Sequence, residues 1–188
     1  MRPELPIVTE RLVLRPFRPD DFAAAHDYMR REDVARFEFW NATTPDETRQ
    51  KIDEWIATDP DWPTGDRLVL AVTLHDGGAM IGDCVLSFRD REALQAEIGY
   101  TLHPDWHRKG IATEASEALL AVAFSTYELH RVYGRCDARN VGSWRVLEKL
   151  GMRREAHFRE HAIFKGEWDE EFYYAILKDE WLAQRGRN

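Results

Sequence analysis

The sequence predicts an α/β protein, a mixed central sheet of about seven strands flanked by about four helices. Three observations carry that prediction. Three β-rich runs follow one another between 67 and 102 with turn residues between them, the pattern of an antiparallel meander. Beyond 102, strand and helix alternate, which after the meander gives a mixed sheet rather than a plain Rossmann order. The helical stretches carry apolar residues at a 3.6-residue spacing, each with one face for the sheet.

The elements follow in order. A short strand is expected at 11–15, broken by Pro16 and Pro19. Asp20 then reads as the N-cap of a helix bearing Phe22, Ala25, Tyr28 and Met29. Glu38-Phe39-Trp40 is an aromatic patch ahead of the next helix. Thr44-Pro45-Asp46-Glu47 is a strong helix start, with a cap, a first-turn proline and a capping-box glutamate. That helix sets Ile52, Trp55 and Ile56 on one face. Strands at 67–74 and 79–88 are joined by an Asp76-Gly77-Gly78 hairpin turn, and the meander closes with 95–102. Gly99 inside its last strand marks a bulge or a close backbone approach. A helix from Gly110 buries Ile111, Ala115, Leu119 and Val122. A strand at 131–137 precedes a helix capped by Asn140, with Val146, Leu147 and Leu150 inward and Gly151 as its left-handed end. Strands at about 152–161 and 170–177, joined through Lys165-Gly166, finish the sheet.

Composition narrows the class. A chain of 188 residues suits a single domain, 1–188, with a full core. It is 44% apolar and 32% charged, ordinary for a globular protein. A formal charge of −8 argues against nucleic acid as a partner. Cys84 and Cys136 fall in expected strands and read as buried free thiols of a reducing compartment. No signal-peptide pattern and no membrane-length apolar run occurs, so a cytoplasmic protein without membrane partners is expected.

Against this acidic background, His107-Arg108-Lys109 forms a basic triplet just before Gly110 and a helix. A strand feeding a helix N-terminus through such a loop can hold a phosphate, because the first helical N–H groups are unpaired and the helix dipole favours negative charge. Gly110 lets backbone approach the ligand. The nucleotide-triphosphatase loop is excluded by order, since it needs Gly-Lys-Ser/Thr and here Lys109 precedes the glycine. His103 and His107 are spaced i, i+4, but Pro104 lies between them and no third ligand is within reach by spacing, so no metal site is expected.

The segment His107-Arg108-Lys109-Gly110-Ile111-Ala112 resembles the acyl-CoA pyrophosphate loop of the GNAT superfamily of N-acetyltransferases, Gln/Arg-x-x-Gly-x-Gly/Ala, departing from it at His107. With Thr113-Glu114-Ala115, Asn140-Val141-Gly142-Ser143 and Leu147-Glu148-Lys149-Leu150-Gly151-Met152, the chain is similar to the branch that acetylates N-terminal amines of ribosomal proteins, the RimJ/RimL type. The resemblance implies a GNAT fold in which the last meander strand splays from its parallel neighbour at a bulge and admits the pantetheine arm. Gly99 sits where that bulge would fall.

The resemblance also implies roles. Acetyl-CoA is the co-substrate, held by the backbone of Arg108, Lys109, Gly110, Ile111 and Ala112, with His107, Thr113 and Lys149 nearby. Leu102 offers backbone bonds to pantetheine, and Asn140 an amide bond beside its capping role. Ser143 is implied as proton donor to the leaving thiolate. Glu97, on the last meander strand, and Glu160, near the end of the next-to-last strand, are alternative general bases; Tyr100 and His161 are weaker ones. Each carboxylate alone better suits an exposed strand position, and a base here needs a pKa raised by partial burial. Phe39 and Trp40 fall in the loop that lines the acceptor site in this fold.

The expected function is acetyl transfer to a primary amine by direct attack in a ternary complex. The acceptor suggested by resemblance is a protein N-terminal α-amine, with a small amine or antibiotic as alternatives. A non-catalytic acyl-CoA-binding module is the contrasting reading. Members of this branch often form homodimers; no interface signature stands out in the sequence.

Overall fold

A computed structural model describes residues 1–75 and 77–186. Asp76, part of the expected hairpin turn, lies outside the described residues. The strands are β1 (Ile7–Val8), β2 (Leu12–Arg15), β3 (Arg67–Leu74), β4 (Met80–Asp90), β5 (Gln95–Leu102), β6 (Arg131–Asp137), β7 (Arg153–Phe164) and β8 (Glu167–Leu177). The helices are α1 (Phe22–Met29), α2 (Glu32–Ala35), α3 (Pro45–Ile56), α4 (Ile111–Ser125), α5 (Val141–Lys149) and α6 (Lys178–Arg185). One sheet runs in the order β1-β2-β3-β4-β5-β6-β8-β7. Every pair is antiparallel except β5 with β6, which α4 joins as the crossover.

The expected meander is therefore β3-β4-β5. The differences lie in short elements. β1 is a two-residue strand, too short to alternate visibly. α2 spans one turn. α6 buries Trp181 alone, so no apolar stripe announces it. A 3-10 turn (Pro19–Asp21) precedes α1, and the backbone there is tied by Asp21 rather than Asp20. The Asp21 carboxylate accepts from Arg18 N at 2.8 Å and from both terminal nitrogens of Arg15, at 2.6 and 2.8 Å. On α3, Ile52 is buried and Trp55 half-buried, but Ile56 is exposed; Thr48 takes the second buried place.

Local chemistry explains the other boundaries. The α3 capping box forms, with Thr44 Oγ1 accepting from Glu47 N and Glu47 Oε2 accepting from Thr44 N at 2.8 Å. Gly151 ends α5 at φ 78°, where Met152 N reaches back to Leu147 O. Lys165 and Gly166 both have positive φ and turn β7 into β8. The apolar face of α4 packs Ile111, Ala115, Leu119 and Val122 against Leu70, Leu86, Ile98 and Val132 on one side of the sheet. On the other side, Tyr28 and Met29 of α1 and Ile52 of α3 cover Val69, Ala71 and Met80. Cys84 and Cys136 are buried free thiols. No helix among the described residues is long and apolar enough to cross a membrane.

Candidate active site

The two cores meet at a parting in the sheet. β5 and β6 are in register for only Gln95↔Arg131, Ala96↔Val132 and Glu97↔Tyr133, then separate. β5 keeps unbroken register with β4 from Ala96 through Leu102. Gly99 thus provides a close approach rather than a break with β4; a Cβ there would meet Val85 Cγ1 at 3.0 Å. His103 N donates to Ile81 O at 2.9 Å, so Leu102, one residue earlier, turns its own N–H and C=O away from β4 and into the gap. Alternation then sends Tyr100 to the α4–α5 side of the sheet and Glu97 and Thr101 to the α1–α3 side.

Ser143 and Tyr100 meet on the α5 side. The Tyr100 phenol donates to Ser143 O at 2.9 Å and lies 3.1 Å from Ser143 Oγ, which completes the pair as a donor. Asn140 caps α5, its Oδ1 accepting from Ser143 N at 3.2 Å. Burial pushes the Tyr100 phenol well above its ordinary pKa, against the Ser143 bond. The Cys136 thiol is pushed up to about 12 by burial, again opposed by Ser143. All three groups are therefore protonated at neutral pH, and protons are available on this wall of the gap.

The basic loop lies at the gap's end. His107 Nε2 donates to Leu102 O at 3.0 Å, so this ring braces the loop against β5. Arg108 and Gly110 both take positive φ, 59° and 79°, and no side chain caps the start of α4. The N–H groups of Ile111, Ala112 and Thr113 consequently lack intrahelical partners. Arg11 Nη1 donates to Lys109 O at 2.8 Å, and Glu114 accepts from Thr9 Oγ1 at 2.6 Å and from Arg11 N at 2.9 Å. Those bonds outweigh burial and hold the Glu114 carboxyl below its usual range. Gly110, Thr113 and Lys149 line one surface depression with Arg11. An open helix N-terminus beside alternating backbone signs is a cradle for a phosphate, which fits the phosphate end of a CoA ester.

The opposite wall is built from distant segments. The loop between α2 and α3 is pinned by Lys165, whose Nζ donates to Trp40 O at 2.8 Å and also to Ala35 O. Phe39 is exposed, edge-on to Phe164 at 5.7 Å, with the Arg135 guanidinium 4.5 Å from its ring centroid. Trp40 is half-buried against the α1–α3 core. Between Phe37 and Phe39, Glu38 is half-buried, with the Thr101 side chain among the groups that face it. Burial, and then the charge of Asp83, raise its pKa to about 8, against Thr101, Lys165 and Lys51. Asp83 is itself buried and accepts from the Tyr28 phenol at 2.6 Å. Burial raises Asp83 to about 6, against that bond and Lys51.

The two carboxylates singled out in the sequence sit differently. Glu97 is shared between arginines, Oε2 with Arg89 at 2.8 Å and Oε1 with Arg135 at 2.8 Å. Glu160 is exposed on β7, in left-handed backbone (φ 50°) inside the irregular stretch between Arg159 and Ile163. No hydrogen bond or ion pair links Glu160 to another candidate among the described residues. His161, Asp169 and Glu171 gather beside it, their ligand-type atoms within 4.8 Å of one another. Both ring nitrogens of His161 face carboxylates, at 3.1 and 3.6 Å, and Arg135 lies 3.5 Å from Glu171. That arrangement suits a bridging imidazole better than a metal ion, which would take one ring nitrogen. His103 and His107 are tied to separate partners, Asp27 and Leu102.

Sequence reasoning missed Glu38, Thr101, Asp83 and Tyr28. The one local signal was an acidic residue inside an aromatic patch; the rest depends on which strands become neighbours.

Comparisons with known proteins agree with this geometry. The family model for the acetyltransferase (GNAT) domain matches residues 11–153. The chain is similar to the uncharacterized N-acetyltransferase YnaD of Bacillus subtilis (strain 168), 32% identical over 93% of this chain and 98% of that protein. It is similar to the crystal structure of a GNAT-family acetyltransferase from Bacillus anthracis, with a TM-score of 0.83 and 33% identity, covering 93% of this chain and 99% of that one. Over a shorter stretch, 47% of this chain and 45% of the other, it is 25% identical to the ribosomal protein uS5 alanine N-acetyltransferase of Escherichia coli (strain K12).

Proposed function

The chain belongs to the GNAT family of N-acetyltransferases, and from that premise we propose that it moves the acetyl group of acetyl-CoA to the α-amine of a protein N-terminus. The observation that carries the reading is the parting of β5 from β6, with protonated hydroxyls on one wall, carboxylates on the other and an open helix N-terminus at its end. A thioester in that gap can be approached by an amine from the carboxylate wall, so no nucleophilic side chain is needed. The likeness to the uS5 alanine N-acetyltransferase supports a protein amine over a small one.

The roles follow from each group's free bonding capacity. The N–H groups from Arg108 to Ala112, with Thr113 and Lys149, hold the CoA phosphates. Leu102 keeps its N–H for the pantetheine arm, since His107 occupies the carbonyl. Asn140 sets the first turn of α5 and so the position of Ser143. Ser143 protonates the departing sulfur, and Tyr100 holds Ser143 in place. Phe39 and Trp40 shape the acceptor entrance, with Glu160 at its rim. Glu97, engaged on both oxygens, keeps Arg135 under Phe39.

The test is a competition for acetyl groups between a peptide beginning with alanine and spermidine, read by mass spectrometry. A kcat/KM at least about tenfold higher for the peptide is expected, a preference of about 1.4 kcal/mol. Acetyl-spermidine as the main product would move the acceptor to small amines.

A further inference from the structure

We infer that Glu38 is the general base of the transfer, its carboxylate taking the proton of the acceptor ammonium on the α1–α3 side of the gap. The inference rests on the acetyl-transfer reading above. Geometry carries it. Glu38 faces the side chain of Thr101, the residue next to Tyr100 on β5, and neighbouring strand residues project to opposite faces. Tyr100 meets Ser143 on one face, so proton donor and proton acceptor flank the same two residues of β5 where that strand has left β6. Glu97 is committed to two guanidinium groups, and Glu160 stands in solvent on an outer strand. Glu38 alone of the three is both half-buried and, among the described residues, without an arginine partner.

The groups facing Glu38 are Asp83 of β4, Thr101 of β5, Lys51 of α3 and Lys165 of the β7–β8 turn. The Tyr28 phenol of α1 holds Asp83 in place behind it. Burial, and then a buried neighbour of like charge, keep the Glu38 proton affinity high, so the carboxyl sits at about 8, where a base is matched to an amine at working pH.

The step balances. One proton passes from the ammonium to Glu38, and the freed lone pair forms the C–N bond to the thioester carbonyl carbon. The C–S bond breaks and sulfur keeps its electron pair. The amine's second departing proton replaces the one that Ser143 gives to sulfur. Glu38 returns its proton to solvent, leaving an amide, a thiol and one released proton.

The experiment compares wild type, Glu38→Gln and Glu38→Asp between pH 6 and 10 with saturating acetyl-CoA and an alanine-starting peptide. Glu38→Gln is expected to lower kcat/KM about 100-fold at pH 8 while acetyl-CoA affinity stays within twofold. Glu38→Asp, shorter but still a base, should recover part of that loss. In the protein without substrates, carbon NMR of glutamate side chains should show one carboxyl titrating near 8 that is missing from Glu38→Gln. Glu38→Gln within threefold of wild type at every pH, or no glutamate titrating above 6, overturns the assignment. Wild-type protein that releases no thiol with any amine overturns the transfer reading too, and is distinguished from failure of Glu38 alone by turnover that persists in Glu38→Gln.

Discussion

The two ends of the gap are built in opposite ways. The end proposed for the phosphates is nearly all local: Leu102, His107, Arg108, Gly110 and Thr113 lie within one strand–loop–helix unit, which offers mostly backbone groups. The end proposed for the acceptor joins the α2–α3 loop, β4, β5 and α1 through the side chains of Glu38, Asp83, Thr101 and Tyr28. A backbone site tolerates side-chain change but not a change in φ. A side-chain site depends on desolvation and so on the packing of every element around it.

Substitutions can break or sharpen that contrast. The largest effect is expected for Gly110→Glu. The residue has φ 79°, and a Cβ there would stand 3.3 Å from Arg11 NH2. A left-handed non-glycine costs about 1–2 kcal/mol, and the added carboxylate repels phosphate. Calorimetry should find acetyl-CoA affinity at least about 100-fold weaker, with the fold retained by circular dichroism. Affinity unchanged would mean that the cradle is not the phosphate site.

Glu114→Gln tests the strap behind that cradle. Loss of charged bonds to Thr9 and Arg11 should reduce stability by about 2 kcal/mol in urea unfolding. The folded pKa of Glu114 lies below its unfolded value of about 4.3, so this contribution is full above that value and is lost as pH falls through the folded pKa. The stability gap between wild type and variant should therefore be widest near neutrality and close in acid.

Tyr100→Phe removes the hydrogen bonds to Ser143 on the α5 wall of the gap. About 1 kcal/mol, or a fivefold fall in kcat, is expected with acetyl-CoA affinity kept. The smallest catalytic effect is expected for Glu97→Gln. Both oxygens of Glu97 are already engaged, so kcat should stay within threefold of wild type while thermal unfolding moves down. A 100-fold kcat loss with unchanged stability would make Glu97, not Glu38, the base.

The same contrast governs what could be read in advance. Gly110 before α4, the Thr44 capping box and the inward face of α4 depend on neighbours within a few residues, and all stand as expected. Asn140 as a cap was equally local. The place of Glu97 depended on Arg89, 8 residues away, and Arg135, 38 residues away, and a strand carboxylate gives no hint of either. Glu38 sat in plain view among aromatics, but its raised pKa comes from burial and then from Asp83, both set by the tertiary fold. β1 and α6 escaped notice because two residues, or one buried tryptophan, make no period.

The most direct test of the account is thiol release from acetyl-CoA by the wild-type protein with and without an alanine-starting peptide, with the peptide product weighed. Release that requires the peptide and matches N-terminal acetylation one for one is expected. No release above the peptide-free rate, with acetyl-CoA and peptide both bound, would contradict it.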